Sequence, residues 1–265
     1  MTRATYITTS WDDGHPLDLR IAALLSKHGL TGTFYVPMTA ENGTMTAAQI
    51  RDLRSAFEIG AHTIHHAVLT KLTKERAWQE IMGSKCWLED VTGRRCSMFC
   101  PPTGAFSHSH VEMIQRAGFV GLRTVELGSL DLPRQRSGLA LMPTTVQAYP
   151  HGLPAFARNA IKRMAFANLW RALFNGRSKD WSQLARVLLD KAIDGGGAFH
   201  LWGHSWELHD SSQWRRLDDV LRFMHDALGD ALSVTNAQLA RLSLTSEHND
   251  DTTQDRSIDV TWTKR

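Results

Sequence analysis

The chain has 265 residues, 42% of them hydrophobic, and a formal net charge of +3, which is length enough for one large core and too little charge for a nucleic-acid footprint. Its three cysteines, Cys86, Cys96 and Cys100, form an odd, sparse set that argues for reduced thiols and against a disulfide framework. No run of about 18 apolar residues suggests a membrane span, and a site-like motif lies too close to Met1 for a signal peptide, so a soluble cytoplasmic protein is expected.

Thr5 to Thr9 reads as a short strand that breaks into Ser10-Trp11-Asp12-Asp13-Gly14. Asp18 to His28 carries Leu19, Ala22, Ala23, Leu24 and Leu25 at helical spacing and stops at Gly29, a glycine C-cap. A strand, Thr33 to Val36, follows and is closed by Pro37. Thr46 opens a helix to about Phe57, Glu58 to Ala61 is the next strand, and a long helix from Thr73 to about Val91 ends at Gly93. Strand Ser97 to Cys100, helix Ser109 to Ala117 and strand Phe119 to Arg123 continue the alternation.

From Thr124 to Pro154 that regularity is lost, apart from a strand at Leu139 to Val146, so an insertion or long site loop is expected there. A helical region spans about Pro154 to Phe174, a helix Trp181 to Asp194, a strand Ala198 to Trp202, a helix Ser212 to Leu228, a strand Leu232 to Val234, and a short helix is capped by Thr235. About seven strand-helix units imply a parallel sheet closed, or nearly closed, into a barrel. We expect the barrel over 1–242 and a polar surface tail over 243–265.

Two clusters carry chemistry. Asp12 and Asp13 at a strand end can do different jobs, one holding a cation and the other facing water, although Asp-Asp-Gly alone is an ordinary solvated turn. His62 and His66 follow a second strand four residues apart. With Asp13 they make two nitrogens and a carboxylate oxygen, a usual catalytic zinc complement. His65 points elsewhere.

At these residues the sequence resembles the polysaccharide deacetylase, or NodB-homology, family. The resemblance rests on Ser10-Trp11-Asp12-Asp13-Gly14, His62-Thr63-Ile64-His65-His66, Phe99-Cys100-Pro101-Pro102-Thr103-Gly104 and Leu201-Trp202-Gly203-His204. It implies an α/β fold, a distorted (β/α)7 barrel of NodB-homology type with an insertion after the fifth strand. It implies a divalent metal, commonly Zn2+, and hydrolysis of an N- or O-acetyl group on a sugar. By the same resemblance Asp13, His62 and His66 hold the metal, Asp12 is the general base and His204 the general acid. Pro102 and Thr103 carry the turn whose backbone N–H would meet the oxyanion, and Arg123, Trp202 and Trp206 are further candidates at the substrate site.

The pattern departs from the family in places. Cys100 stands where an arginine usually orients the base, and Arg123, at a strand end, is the candidate replacement. The aspartate that supports the catalytic histidine has no clear match, leaving Glu126 or Asp131. His200 shares a strand face with His204 and is the rival acid, and Cys100 is a minor candidate for a fourth ligand. The substrate class expected is a nucleotide- or lipid-linked saccharide, with a cyclic-amide hydrolase and a saccharide-binding module as alternatives. The basic amphipathic stretch 158–174 either packs on the barrel or makes peripheral membrane contact.

Overall fold

The computed structural model describes residues 4–150 and 180–244. Both the helical region expected at Pro154 to Phe174, with its 158–174 membrane contact, and nearly all of the 243–265 tail lie outside the described residues. No helix among the described residues is long and apolar enough to cross a membrane.

The architecture is the expected α/β one, a curled, open form of the distorted (β/α)7 barrel. Strands β1 (Thr5–Trp11), β2 (Thr33–Val36), β3 (Glu58–Ala61), β4 (Met98–Phe99) and β5 (Gly121–Arg123) alternate with helices α1 (Asp18–Lys27), α2 (Ala47–Arg54), α3 (Lys74–Thr92) and α4 (His108–Arg116). Then come β6 (Arg134–Arg136), β7 (Leu139–Met142) and β8 (Val146–Gln147) and, after residue 179, α5 (Trp181–Gly195), β9 (Gly197–Gly203), α6 (Ser211–Asp226) and β10 (Ala231–Ser233). The sheet order is β6-β7-β5-β4-β3-β2-β1-β9-β8, with β10 beside β1. Its two ends, β6 and β8, do not pair among the described residues, so closure is incomplete.

Local chemistry sets the boundaries. Gly29 takes φ 62° after α1, which lets Leu30 N donate to Leu25 O at 2.9 Å and turns the buried Leu30 back onto the helix. Thr46 and Gln49 form a reciprocal capping box on α2, and Thr73 caps α3, which stops at left-handed Gly93. β1 outruns the expected Thr5 to Thr9 because Ser10 and Trp11 are also buried, between β2 and β9.

After Arg123 the structure departs from expectation. The single strand foreseen at Leu139 to Val146 is two, β7 and β8, interrupted at Pro143, which has no N–H for a ladder. β6 was not foreseen, because Arg134-Gln135-Arg136 is exposed and shows no alternation. It pairs antiparallel with β7 through a two-residue hairpin, Ser137-Gly138, both at positive φ.

All pairings other than β6 with β7 are parallel, so β1, β3, β4, β5, β8 and β9 finish at one end of the sheet. That gathers Asp12, Asp13, His62, Cys100, Arg123, Gln147 and His204 at the C-terminal mouth, although 192 positions separate Asp12 from His204 (204 − 12). Beneath the mouth, Gly60 lies under the Tyr35 ring, where a Cβ would meet ring carbons at 2.5 Å. Gly60→Ala should therefore destabilise the fold by about 1–3 kcal/mol. Urea unfolding of the variant checks this, and an unchanged midpoint would show that the ring moves aside freely.

Candidate metal centre

The metal ligands proposed from the sequence come together. Asp13, His62 and His66 each offer a ligand atom within 4.8 Å of the others. Asp13 Oδ1 lies 3.0 Å from His66 Nε2 and 3.4 Å from His62 Nε2. His62 Nδ1 donates to the Cys100 carbonyl at 2.7 Å, which fixes the tautomer and leaves the Nε2 lone pair facing Asp13. Asp13 Oδ1 is buried without a hydrogen-bond partner among the described residues. Two imidazole nitrogens converging on an orphaned carboxylate oxygen fit a divalent cation better than they fit one another. Burial would raise the Asp13 carboxyl, but the two histidines outweigh it and lower it overall.

The loops that present these ligands are strained. Of the five described non-glycine residues at positive φ, Asp13, Thr63, His66 and Thr103 belong to this mouth. His62 and His66 sit on an irregular turn, where a turn or nascent helix was expected. Glu80, a residue sequence reasoning missed, holds the turn: its Oε2 accepts from Ile64 N at 2.9 Å and His65 N at 3.0 Å. Its Oε1 lies 2.7 Å from His65 Nδ1, so His65 is turned away from the cluster.

Asp12 stands beside the ligands and is held by Arg123, whose Nη2 donates to both carboxylate oxygens. Arg123 is completely buried, with its guanidinium 5.3 Å from the Tyr35 ring centre and 4.7 Å from that of Trp202. It acts on Asp12 and has no surface in the cavity, which corrects its placement among substrate contacts. Burial pushes the Asp12 carboxyl up, but Arg123 and nearby imidazoles pull it further down, so it stays ionised. The Cys100 sulfur lies 3.8 Å from Asp12 Oδ2, and burial raises its pKa well above the ordinary thiol value, which disfavours it as a ligand.

His204 opens into the same cavity of ≈ 340 Å³, along with Asp12, Thr103, Gly104, Trp202 and Trp206. Its Nδ1 pairs with Glu207 Oε2 at 2.8 Å, and Gln147 Nε2 donates to that oxygen at 2.9 Å. Glu207 is therefore the supporting carboxylate; Glu126 instead pairs with Arg134, and Asp131 accepts from Ser129. Burial lowers His204, while Glu207, Asp12 and Asp13 raise it by more. Trp206 Nε1 donates to Asp13 Oδ2 at 2.9 Å, so this ring orients a ligand as well as walling the cavity. Pro102 is buried in its turn and does not line the cavity; Thr103 does, at φ 58°. Val125 and Leu127 complete an apolar wall that no motif announced.

His200, the rival acid, points into the barrel. Its Nδ1 donates to Pro143 O at 3.0 Å and its Nε2 accepts from Ser10 Oγ at 2.9 Å. Neutral imidazole satisfies both partners, and burial lowers its pKa to about 3.

Residues 1–122 match the family model described as polysaccharide deacetylase. Comparison with curated proteins finds no match. The structure is similar to a Mycobacterium smegmatis protein provisionally assigned as a polysaccharide deacetylase, at 16% identity and TM-score 0.66, over 100% of this chain and 96% of that one. It is similar to the peptidoglycan deacetylase PdaC of Bacillus subtilis, at 15% identity and TM-score 0.52, over 97% and 98% of the two chains. A family 4 carbohydrate esterase of Streptomyces lividans, solved with acetate, matches at 14% identity and TM-score 0.51, over 86% and 91%. At these identities the likeness shows a shared fold.

The unfolded chain protonates His200 near pH 6.5, whereas the folded chain refuses the proton until about pH 3. Unfolding thus takes up a proton in this window, and stability falls with pH by up to ~1.4 kcal/mol per unit. Urea midpoints from pH 6.5 to 4 should slope less steeply in His200→Gln than in the native chain; equal slopes would contradict the neutral assignment.

Proposed function

The first 122 residues carry the polysaccharide deacetylase pattern, and from that premise we propose that the protein is a divalent-metal-dependent hydrolase that removes acetyl groups from N-acetylated saccharides. The observation that carries the reading is the convergence of Asp13, His62 and His66 within 4.8 Å, in one cavity with Asp12 and His204. A cavity of ≈ 340 Å³ suits a single acylated sugar unit, and Trp202 and Trp206 offer faces for its ring. A nucleotide- or lipid-linked saccharide of surface-glycan assembly is the first substrate class to test. The division into a barrel over 1–242 and a tail from 243 belongs with this proposal.

Asp13, His62 and His66 would hold the cation, with Zn2+ favoured by the nitrogen-rich donor set. When bound, such an ion supplies Lewis acidity, lowering the pKa of water and polarising a carbonyl. The remaining work falls to the protein's own groups. Arg123 keeps Asp12 ionised and aimed, so that Asp12 accepts the proton of the water that attacks the acetyl carbon. Glu207 sets the His204 tautomer and favours its protonated form, so that His204 hands a proton to the departing nitrogen. Thr103 lines the same space, and its backbone N–H would serve the developing oxyanion.

The case for a cyclic-amide hydrolase rested on the arginine missing at Cys100. Arg123 supplies that guanidinium from the neighbouring strand, which favours deacetylation.

Asp12→Asn should lower acetate release from N-acetylated saccharides by about 10²- to 10⁴-fold while elemental analysis still finds metal. Asp13→Ala should lose both metal and activity. Turnover at the native rate in Asp12→Asn would remove the assigned base. A chelated protein that lost thermal stability, with no acetate release to lose before chelation, would instead point to a binding module with a structural cation.

A further inference from the structure

Asp18 is buried for no reason found in its own helix. It opens α1, where an aspartate ordinarily lies at the surface or accepts from a free backbone N–H of the first turn. Pro16 and Leu17 just before it are exposed, yet Asp18 is 0% exposed, and neither of its carboxylate oxygens completes a hydrogen bond with a described residue. Taking such a group out of water is costly, so its place has to be explained by what packs on it.

That follows from the pairing of β1 with β9. The strands run parallel to the pair Trp11 and Gly203, and Asp12 N donates to Gly203 O at 3.0 Å just beyond it. The loop from Asp13 to Asp18 and the turn from His204 to Glu207 therefore leave the sheet side by side. One bridge between them is the hydrogen bond from Trp206 Nε1 to Asp13 Oδ2. Ser205 makes the second contact. It is also 0% exposed, and its hydroxyl is the hydrogen-bonding group that acts on the Asp18 carboxyl, the two meeting short of full hydrogen-bond geometry. Burial raises the Asp18 pKa well above the ordinary carboxylate value, Asp13 and Asp12 add to the rise, and Ser205 and His204 oppose it. A carboxyl that keeps its proton is donor and acceptor at once, so it and a serine hydroxyl can satisfy each other without a counter-charge.

We propose that Asp18 is a positioning residue: joined to Ser205, it fixes the Ser205–Glu207 turn and so keeps Trp206 on Asp13 and Glu207 on His204. The inference deepens the proposed function and rests on its site, while its first readout needs neither metal nor turnover.

That readout is the indole N–H resonance of Trp206 in the isotope-labelled full chain, identified by its loss in Trp206→Phe. It should move upfield in Asp18→Leu and in Ser205→Ala, as an N–H does on losing its acceptor, and stay native in Asp18→Asn, which keeps a donor and an acceptor. The double variant Asp18→Leu/Ser205→Ala should move it no further than either single change, because the two residues act as one unit. Asp18→Leu should unfold in urea at the native midpoint or above it, since an apolar side chain of similar size replaces an unsatisfied buried carboxyl. Zn2+ affinity, measured by competition with a chromophoric chelator, should fall about tenfold in the two single variants. A native resonance in folded Asp18→Leu and Ser205→Ala overturns the proposal, and so does movement confined to variants whose urea midpoint has fallen. Should Asp18→Leu not fold, Ser205→Ala alone decides. Absence of acetate release from the native chain would remove the deacetylase reading and leave these outcomes unchanged.

Discussion

The structure depends first on the ion pair between Arg123 and Asp12. Both groups are buried, and an unpaired charge at either position would cost several kcal/mol. The pair also ties the end of β5 to the end of β1 across the mouth of the sheet. Tyr35 and Trp202 flank the guanidinium, so β2 and β9 are drawn into the same arrangement. Gly60 is part of that support, since only a residue without Cβ leaves the Tyr35 ring its place. Stability and the aim of the proposed base thus share one set of contacts.

A second group of contacts runs through the short turn Ser205–Glu207 after β9. Trp206 reaches Asp13 and Glu207 reaches His204, so two adjacent residues orient the proposed metal ligand and the proposed proton donor together. Gln147 on β8 braces the turn through Glu207. The outcome is a separation of proton affinities within one cavity. Asp12 is lowered by Arg123 beyond what burial raises, and His204 is raised by Glu207 beyond what burial lowers. Groups pushed apart in this way suit the proposed base and acid roles.

Much of this could be read from the sequence where a local rule carries the signal. Gly29, Thr46, Thr73 and Gly93 announced the helix ends by capping chemistry, and Thr33–Val36 and Glu58–Ala61 stand where apolar runs between breakers put them. Asp13, His62 and His66 were legible because their motifs come just after the ends of β1 and β3. Glu207 was not, because its partner sits three residues away on a turn whose shape depends on β8 and β1. Glu80 was hidden for a related reason, since a glutamate on an amphipathic helix gives no sign that it will cap a distant loop. β6 escaped because an exposed polar triplet becomes a strand only when β7 supplies its partner.

Cys100 and Arg123 show how a guanidinium can reach one carboxylate from the neighbouring strand. β4 and β5 are parallel neighbours, so Cys100 and Arg123 sit on adjacent strand ends about 4.8 Å apart in the hydrogen-bonding direction. The long arginine side chain spans that offset and approaches Asp12 from the next strand. The cysteine, short and uncharged, lies beside the pair, its sulfur 3.8 Å from the same carboxylate. The two positions are coupled by exclusion: one carboxylate in a closed space accommodates one buried guanidinium, and a second would lack a counter-charge. Arginine at position 100 is compatible with this core only if position 123 gives its charge up, so the third motif and the end of β5 must be read as a single unit.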